Sequence, residues 1–421
     1  VGRITIREHR MTRDEAPFDA HPPFVINPRR KLFEAASTAT NARLLLVAAL
    51  GLTFWYVVGN AVDNLFGARE HLAPELVYGN GPQAVLRAAF ARAAEPAVRL
   101  VGPFLDLFSY ETTLKGRLHA LVHALVGVVI WGIFGGALAR GAVVRAARGE
   151  WLGIRPALLF AIKKGRPLIG APLAPLIAVG FFAAISAGCG VIFRLGWIGR
   201  GVGGAVLVVP LACNILNAVI LLGLAFAWPL MHVTIAAENE DGFDAVSRSF
   251  AYVTQRKALF AALALAAWVV GACGAVAADL LARLVVHLAE WSLALGGSDA
   301  VRAVLTDSNN IGATFWLGLV ELLVRAWSWA FFWSAAAAIY LILRFDVDGT
   351  PWFDIAVAPP ETLVATPDET PDAPAEPVEP VAEPAAAPAV EQPVDHDLTE
   401  LTLLKPVVPL PDTDEFENLA S

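Results

Sequence analysis

Six long apolar runs constrain this chain more than any other feature. At 1.5 Å rise per residue, about 20 apolar residues carry a helix across some 30 Å of hydrocarbon. Runs of that kind lie near Leu44 to Val62, Leu118 to Ala139, Leu173 to Val191, Leu211 to Met231, Leu259 to Leu281 and Phe315 to Leu343. The expected fold is therefore all-α: a polytopic transmembrane helix bundle of about six spans, with the lipid bilayer as its first partner. Val202 to Val209 is apolar too. The stretch 191–209 reads either as a lengthening of the fourth span or as a re-entrant segment.

An ordinary soluble domain is excluded by composition. Of 421 residues, 57% are hydrophobic and 17% charged, against about 25% charged in an average soluble domain. The net charge of −8 hides two opposite parts. Residues 346–421 hold 18 Asp and Glu against one Lys, and the first 345 residues hold 30 Lys and Arg against 21 Asp and Glu. A basic body suits loops lying against an anionic leaflet. The acidic part is rich in Pro, Ala and Glu, cannot bury enough apolar area to offset chain entropy, and is expected to be disordered. Three parts follow: a cytoplasmic N-terminal segment (1–43), a transmembrane helical domain (44–345) and a cytoplasmic tail (346–421). Leu398, Leu401, Leu403 and Leu404 form an apolar island in that tail. It reads as a chance cluster or as a docking motif for a cytoplasmic protein. No nucleic-acid partner is expected.

Orientation follows from Lys and Arg close to the helix ends. Arg29, Arg30, Lys31 and Arg43 precede the first span. Arg140, Arg145, Arg148, Arg155, Lys163, Lys164 and Arg166 lie between the second and third, and Arg248, Arg256 and Lys257 between the fourth and fifth. Both ends of the chain are thus placed in the cytoplasm, and the protein in the cell (inner) membrane. About forty polar residues precede the first apolar run, so no secretory signal peptide is expected.

Each basic loop holds a short amphipathic stretch that reads as an interfacial helix. Ile154, Ala157, Leu158 and Ile162 make the stripe of one; Phe243, Val246, Phe250 and Val253 make that of the other, with Asp241 as its N-cap. An offset of 90 residues places Phe160-Ala161 on Phe250-Ala251 and Arg166 on Arg256. A duplicated unit of span, interfacial helix and span would explain this, as would chance. Such repeats are one way in which transporters are built.

The informative polar residues lie in the last two spans. Asp279 and Arg283 are spaced i,i+4, as are Glu321 and Arg325. If Lys257 and Arg344 mark the cytoplasmic ends of an antiparallel pair, Asp279 faces Arg325 and Arg283 faces Glu321, roughly 28–33 Å up. Ionisable groups inside lipid point to function, whereas pairs at the outer rim would only clamp two helices.

His119 and His123 share a helix face at a spacing that suits a metal, and His287 with Glu290 lies near the outer end of the fifth span. No HExxH motif or set of facing histidines accompanies them, so they read as interfacial histidines and no cofactor is expected. Gly199, Gly201 and Gly204 match GxGxxG without the strand that a dinucleotide site requires. Asp346, Asp348 and Gly349 read as a turn rather than a calcium loop. Gly132 with Gly136, and Ala267 with Gly271 and Ala275, mark close helix packing. Trp327, Trp329 and Trp333 sit well inside the sixth span and read as filling of the bundle. Cys189, Cys213 and Cys273 show no disulfide or zinc spacing.

The segment Glu240-Asp241-Gly242-Phe243-Asp244-Ala245-Val246-Ser247-Arg248-Ser249 before a span, and Ile339-Tyr340-Leu341-Ile342-Leu343 followed by Arg344-Phe345-Asp346-Val347-Asp348-Gly349-Thr350, carry a resemblance. The body resembles an uncharacterised family of bacterial multi-pass membrane proteins. More remotely, it resembles the membrane domain attached to some glycerophosphodiester phosphodiesterases. The resemblance implies topology, not activity, because no phosphodiesterase catalytic residues are recognisable. The expected function is a non-catalytic membrane scaffold or envelope-organising component. The alternative is a small-molecule or ion transporter; an enzyme would need a converging catalytic set.

Overall fold

The computed structural model describes residues 28–67, 82–108, 113–297 and 310–356. Among the described residues there is no strand. The helices in chain order are α1 (Pro28–Ala39), α2 (Ala42–Phe66), α3 (Pro82–Leu107), α4 (Leu114–Arg148), α5 (Ile154–Lys163), α6 (Gly165–Ile192), α7 (Gly196–Val206), α8 (Val208–Glu238), α9 (Gly242–Gln255), α10 (Lys257–Gly297) and α11 (Ile311–Asp348). Six are long and apolar enough to cross a membrane: α2, α4, α6, α8 together with the end of α7, α10 and α11. The chain is a multi-pass membrane protein.

Local chemistry sets the helix ends. Asn41 accepts from the Arg43 N–H to start α2, and Thr113 accepts from the Gly116 N–H to start α4. Asp241 takes the N–H groups of Phe243 and Asp244, the N-cap expected from the sequence. Asn310 does the same for α11 through the Ala313 N–H. Each bond satisfies a donor that the first helical turn leaves open. Gly67, Gly149 and Gly349 close α2, α4 and α11 in the left-handed conformation that glycine adopts without a Cβ penalty.

The core is built around α11, which touches α1, α2, α3, α4, α8, α9 and α10. Tryptophan is fitted to glycine at several crossings. A Cβ on Gly127 would lie 2.6 Å from the Trp55 ring, and Gly135 and Gly274 meet Trp333 and Trp327 even more closely. Trp131 stacks on Trp329 with ring centroids 3.6 Å apart. Trp327, Trp329 and Trp333 of α11 therefore fill the bundle. Gly132 and Gly136 serve the monomer, bringing α4 against Ile169 and Leu168 of α6.

The element order repeats. The long α4, short α5 and long α6 are followed by the long α8, short α9 and long α10. In both short helices most of the expected stripe faces the bundle: Ala157 and Val253 are buried, and Ile154, Leu158, Val246 and Phe250 pack against the core. Ile162 and Phe243 point outward instead, while Ala161, Ala245, Ser249 and Tyr252 join the buried face.

Residues 191–209 form a turn and the short α7. The glycines of the GxGxxG match sit in this element and are not preceded by a strand. Gly199 lies against the α6 terminus and Gly203, outside the match, against the Phe193 ring, and these two allow a tight reversal.

Beyond the expected boundary at 345, α11 continues to Asp348 and the chain stays on the body. Trp352 lies under the Lys31 ammonium, 4.1 Å away, Ile355 is buried, and the Ala356 N–H donates to the Ala237 carbonyl. The remainder of the acidic tail, with its apolar island, lies outside the described residues.

Candidate functional site

Of the charged residues singled out in α10 and α11, Asp279, Glu321 and Arg325 are buried together and Arg283 is exposed beside them, in an arrangement the sequence did not indicate. Both i,i+4 pairs form: Arg325 Nε donates to Glu321 at 2.9 Å, and Arg283 lies 3.5 Å from Asp279. The cross-helix pairs are different. Arg92 of α3 stands between the two spans, 3.5 Å from Asp279 and 3.3 Å from Glu321. Arg325 Nη1 reaches Glu95 of α3 at 2.9 Å and the Tyr56 hydroxyl of α2 at 3.0 Å. Arg99 closes the group on Glu95 at 2.9 Å.

The correction has a simple cause. The expected pairing of Asp279 with Arg325 and of Arg283 with Glu321 assumed that two helices meet directly. Helix α3 contributes its own charges, and each acid takes the nearest guanidinium. Fork-shaped Arg groups can bridge two carboxylates, which lets Arg92 join α10 to α11. Arg92, Asp279, Glu321 and Arg325 are all buried, so their mutual neutralisation is what makes the arrangement tolerable in a low-dielectric interior.

On α10, Leu265, Trp268 and Val269 are exposed on one side of Asp279. On the other side, exposed Leu280, Leu284, Leu288, Trp291 and Leu295 are interspersed with exposed Arg283, His287 and Glu290. Beyond Glu321, α11 exposes Leu319, Trp316, Phe315 and Ile311. Apolar side chains thus flank the cluster along both helices, with ionisable groups among them on α10.

Little empty space adjoins it. A cavity of about 80 Å³ touches Arg92, Asp279 and Arg283. A larger one of about 410 Å³ opens among Arg30, Lys31, Arg145, Arg148 and Trp352. An apolar groove of about 300 Å³ runs between α3, α8, α10 and α11. The stacked tryptophans of α4 and α11 fill the core alongside them.

A second polar group ties the opposite ends of α8 and α11. Glu238 accepts from Arg248 and from the Tyr340 hydroxyl, and lies 3.2 Å from Arg344. Tyr252 donates to Asp348; burial, and then that hydrogen bond, holds its phenol protonated well above the usual range. The open carbonyls at the α8 terminus take donors from Arg140, the Ala356 N–H and Lys164. Cations gather there as the negative end of a helix dipole favours. The sequence marked Arg140, Lys164 and Arg248 as basic loop residues, Arg344 as a span end and Asp348 as part of a turn, and it did not indicate that they meet Glu238, Tyr252 and the α8 terminus.

His119 and His123 do not merely present wet tips. Both bring Nε2 to 2.7 Å from one oxygen of Asp63 on α2. His287 and Glu290 are exposed on α10 and do not join them. All three cysteines are free thiols.

Helix α3 is the element that sequence reasoning missed. Its five charges and two internal prolines keep it below the hydropathy of a span. A weaker signal was present: Ala89, Arg92, Pro96, Leu100 and Phe104, spaced by three or four, are the positions it buries. No protein-family model matches the chain, and no curated protein or solved structure does either. The resemblance noted above therefore rests on its own segments.

Proposed function

We propose that the protein is a non-catalytic integral membrane scaffold, with both termini on the basic, cytoplasmic side of the cell membrane. The observation that carries this reading is the closure of the charged site. Arg92, Glu95, Asp279, Glu321 and Arg325 pair with one another, and the cavity beside them holds about 80 Å³. In this reading the cluster fastens α3 into the bundle, and the acidic tail supplies a contact for a cytoplasmic protein. A second reading, a carrier for an ion or small solute, is favoured by the burial of Arg92, Asp279, Glu321 and Arg325 among long apolar helices, where ionisable groups tend to serve function.

Proteoliposomes separate the two. With pH- and potential-sensitive dyes, the scaffold reading expects ion flux equal to that of empty liposomes, for the wild type and for Arg325→Gln alike. Wild-type flux that Arg325→Gln abolishes, with helix content intact, would replace the scaffold by a carrier. Affinity capture with and without residues 357–421 tests the tail: the set of captured proteins should shrink when it is removed.

A further inference from the structure

We propose that Asp63, His119 and His123 form a binding site for a zinc-class divalent cation, clamping the end of α2 to the beginning of α4. His119 and His123 are one helical turn apart and face the same way. Asp63 comes from the neighbouring helix, three residues before its terminal turn at Phe66. The carboxylate oxygen and the two Nε2 atoms lie within 4.8 Å of one another.

Three observations point to a cation rather than a simple hydrogen-bonded trio. Asp63 is 4% exposed, so its negative charge sits in a poorly solvated place. Both imidazoles converge on Oδ1, while Oδ2 is buried with no hydrogen-bond partner among the described residues. A divalent ion would supply positive charge beside the buried carboxylate and take up ligand lone pairs. The rings are also held by packing: Trp55 meets His123 edge-on with centroids 6.5 Å apart, and Phe66 meets His119 at 5.4 Å. Such support reduces what ordering the ligands costs.

The donor set selects the metal. Two imidazoles and one carboxylate suit zinc, cobalt or nickel, whereas magnesium and calcium prefer all-oxygen shells. Zinc bonds of about 2.0–2.2 Å in a tetrahedron put neighbouring ligand atoms about 3.3–3.5 Å apart. The present 2.7 Å contacts would therefore open by less than about 1 Å on binding. The histidine side chains are 18% and 13% exposed, which leaves a fourth position for water.

The test uses tag-free, full-length protein in detergent, stripped with a chelator and titrated with Zn²⁺ and Co²⁺. One equivalent per chain is expected, with visible Co²⁺ bands of a four-coordinate site and a rise in unfolding temperature that Mg²⁺ does not produce. Asp63→Asn and His123→Gln keep the side-chain volumes and should each weaken binding at least about 100-fold, since each removes one of three ligands. His287→Gln, exposed on α10, should bind as the wild type does. Absence of a stoichiometric ion in the wild type overturns the proposal, and so does binding that survives both ligand substitutions. If a variant misfolds, the wild-type stoichiometry and the Co²⁺ spectrum still decide.

Discussion

The first half of α8 and the later part of α11 are both apolar, yet they stand in different surroundings. In α11, 94% of an 18-residue apolar window is buried inside the protein; in the span that ends with α8 the share is 11%, although Leu230 to Ala237 at the end of α8 are buried as well. The less hydropathic of the two stretches is the buried one. In water the order would be the reverse, because burial there rewards apolar area. In a bilayer, lipid tails are as apolar as leucine, so apolar area does not favour the interior and close packing decides instead. Accordingly, the later part of α11 carries Ala335 to Ala338, Ser328, Ser334 and three tryptophans, whereas the first half of α8 turns Val208, Leu211, Ile215, Val219 and Leu222 outward.

That contrast can be broken at the centre first. Trp329→Ala removes a fully buried ring that stacks on Trp131. A loss of about 3–5 kcal/mol is expected, from the transfer and cavity terms of large-to-small core changes. Unfolding by SDS titration in mixed micelles would measure it, and a loss below about 1 kcal/mol would mean the core relaxes around the gap.

Adding volume at the same centre should cost less. Gly135→Ala places a methyl group against Trp333, and overpacking of this kind costs about 1–3 kcal/mol. An unchanged unfolding midpoint would show that the tryptophan can move aside and that the contact does not set the α4–α11 distance. On α8 the corresponding change should barely register. Leu222→Ala, at a position 62% exposed, is expected to stay within about 0.5 kcal/mol. A clearly larger loss there would mean that another protein surface, not lipid, covers this face.

The same contrast explains which parts of the site were legible. The i,i+4 pairs Asp279–Arg283 and Glu321–Arg325 are properties of one helix, and they form as read. The Asp241 cap is local too, and it forms. The cross-helix partners Arg92, Glu95 and Tyr56 depend on which helix lies beside which. Nothing in the spacing of residues 82–107 says that α3 packs against α10. His119 and His123 were visible as a pair, but Asp63 lies 56 residues from His119 in the chain and only the α2–α4 contact brings it in.

The sequence by itself determined the solvent and the number of spans, because hydrogen-bonding the backbone in hydrocarbon leaves a run of 20 apolar residues little choice but helix. It also determined the caps and the intrahelical pairs, whose energies are local. Tertiary structure alone decided which part of each span is buried in the bundle and how the buried charges are shared. Those outcomes depend on shape complementarity between distant segments, such as a glycine opposite a tryptophan or an arginine between two acids, and hydropathy carries no record of it.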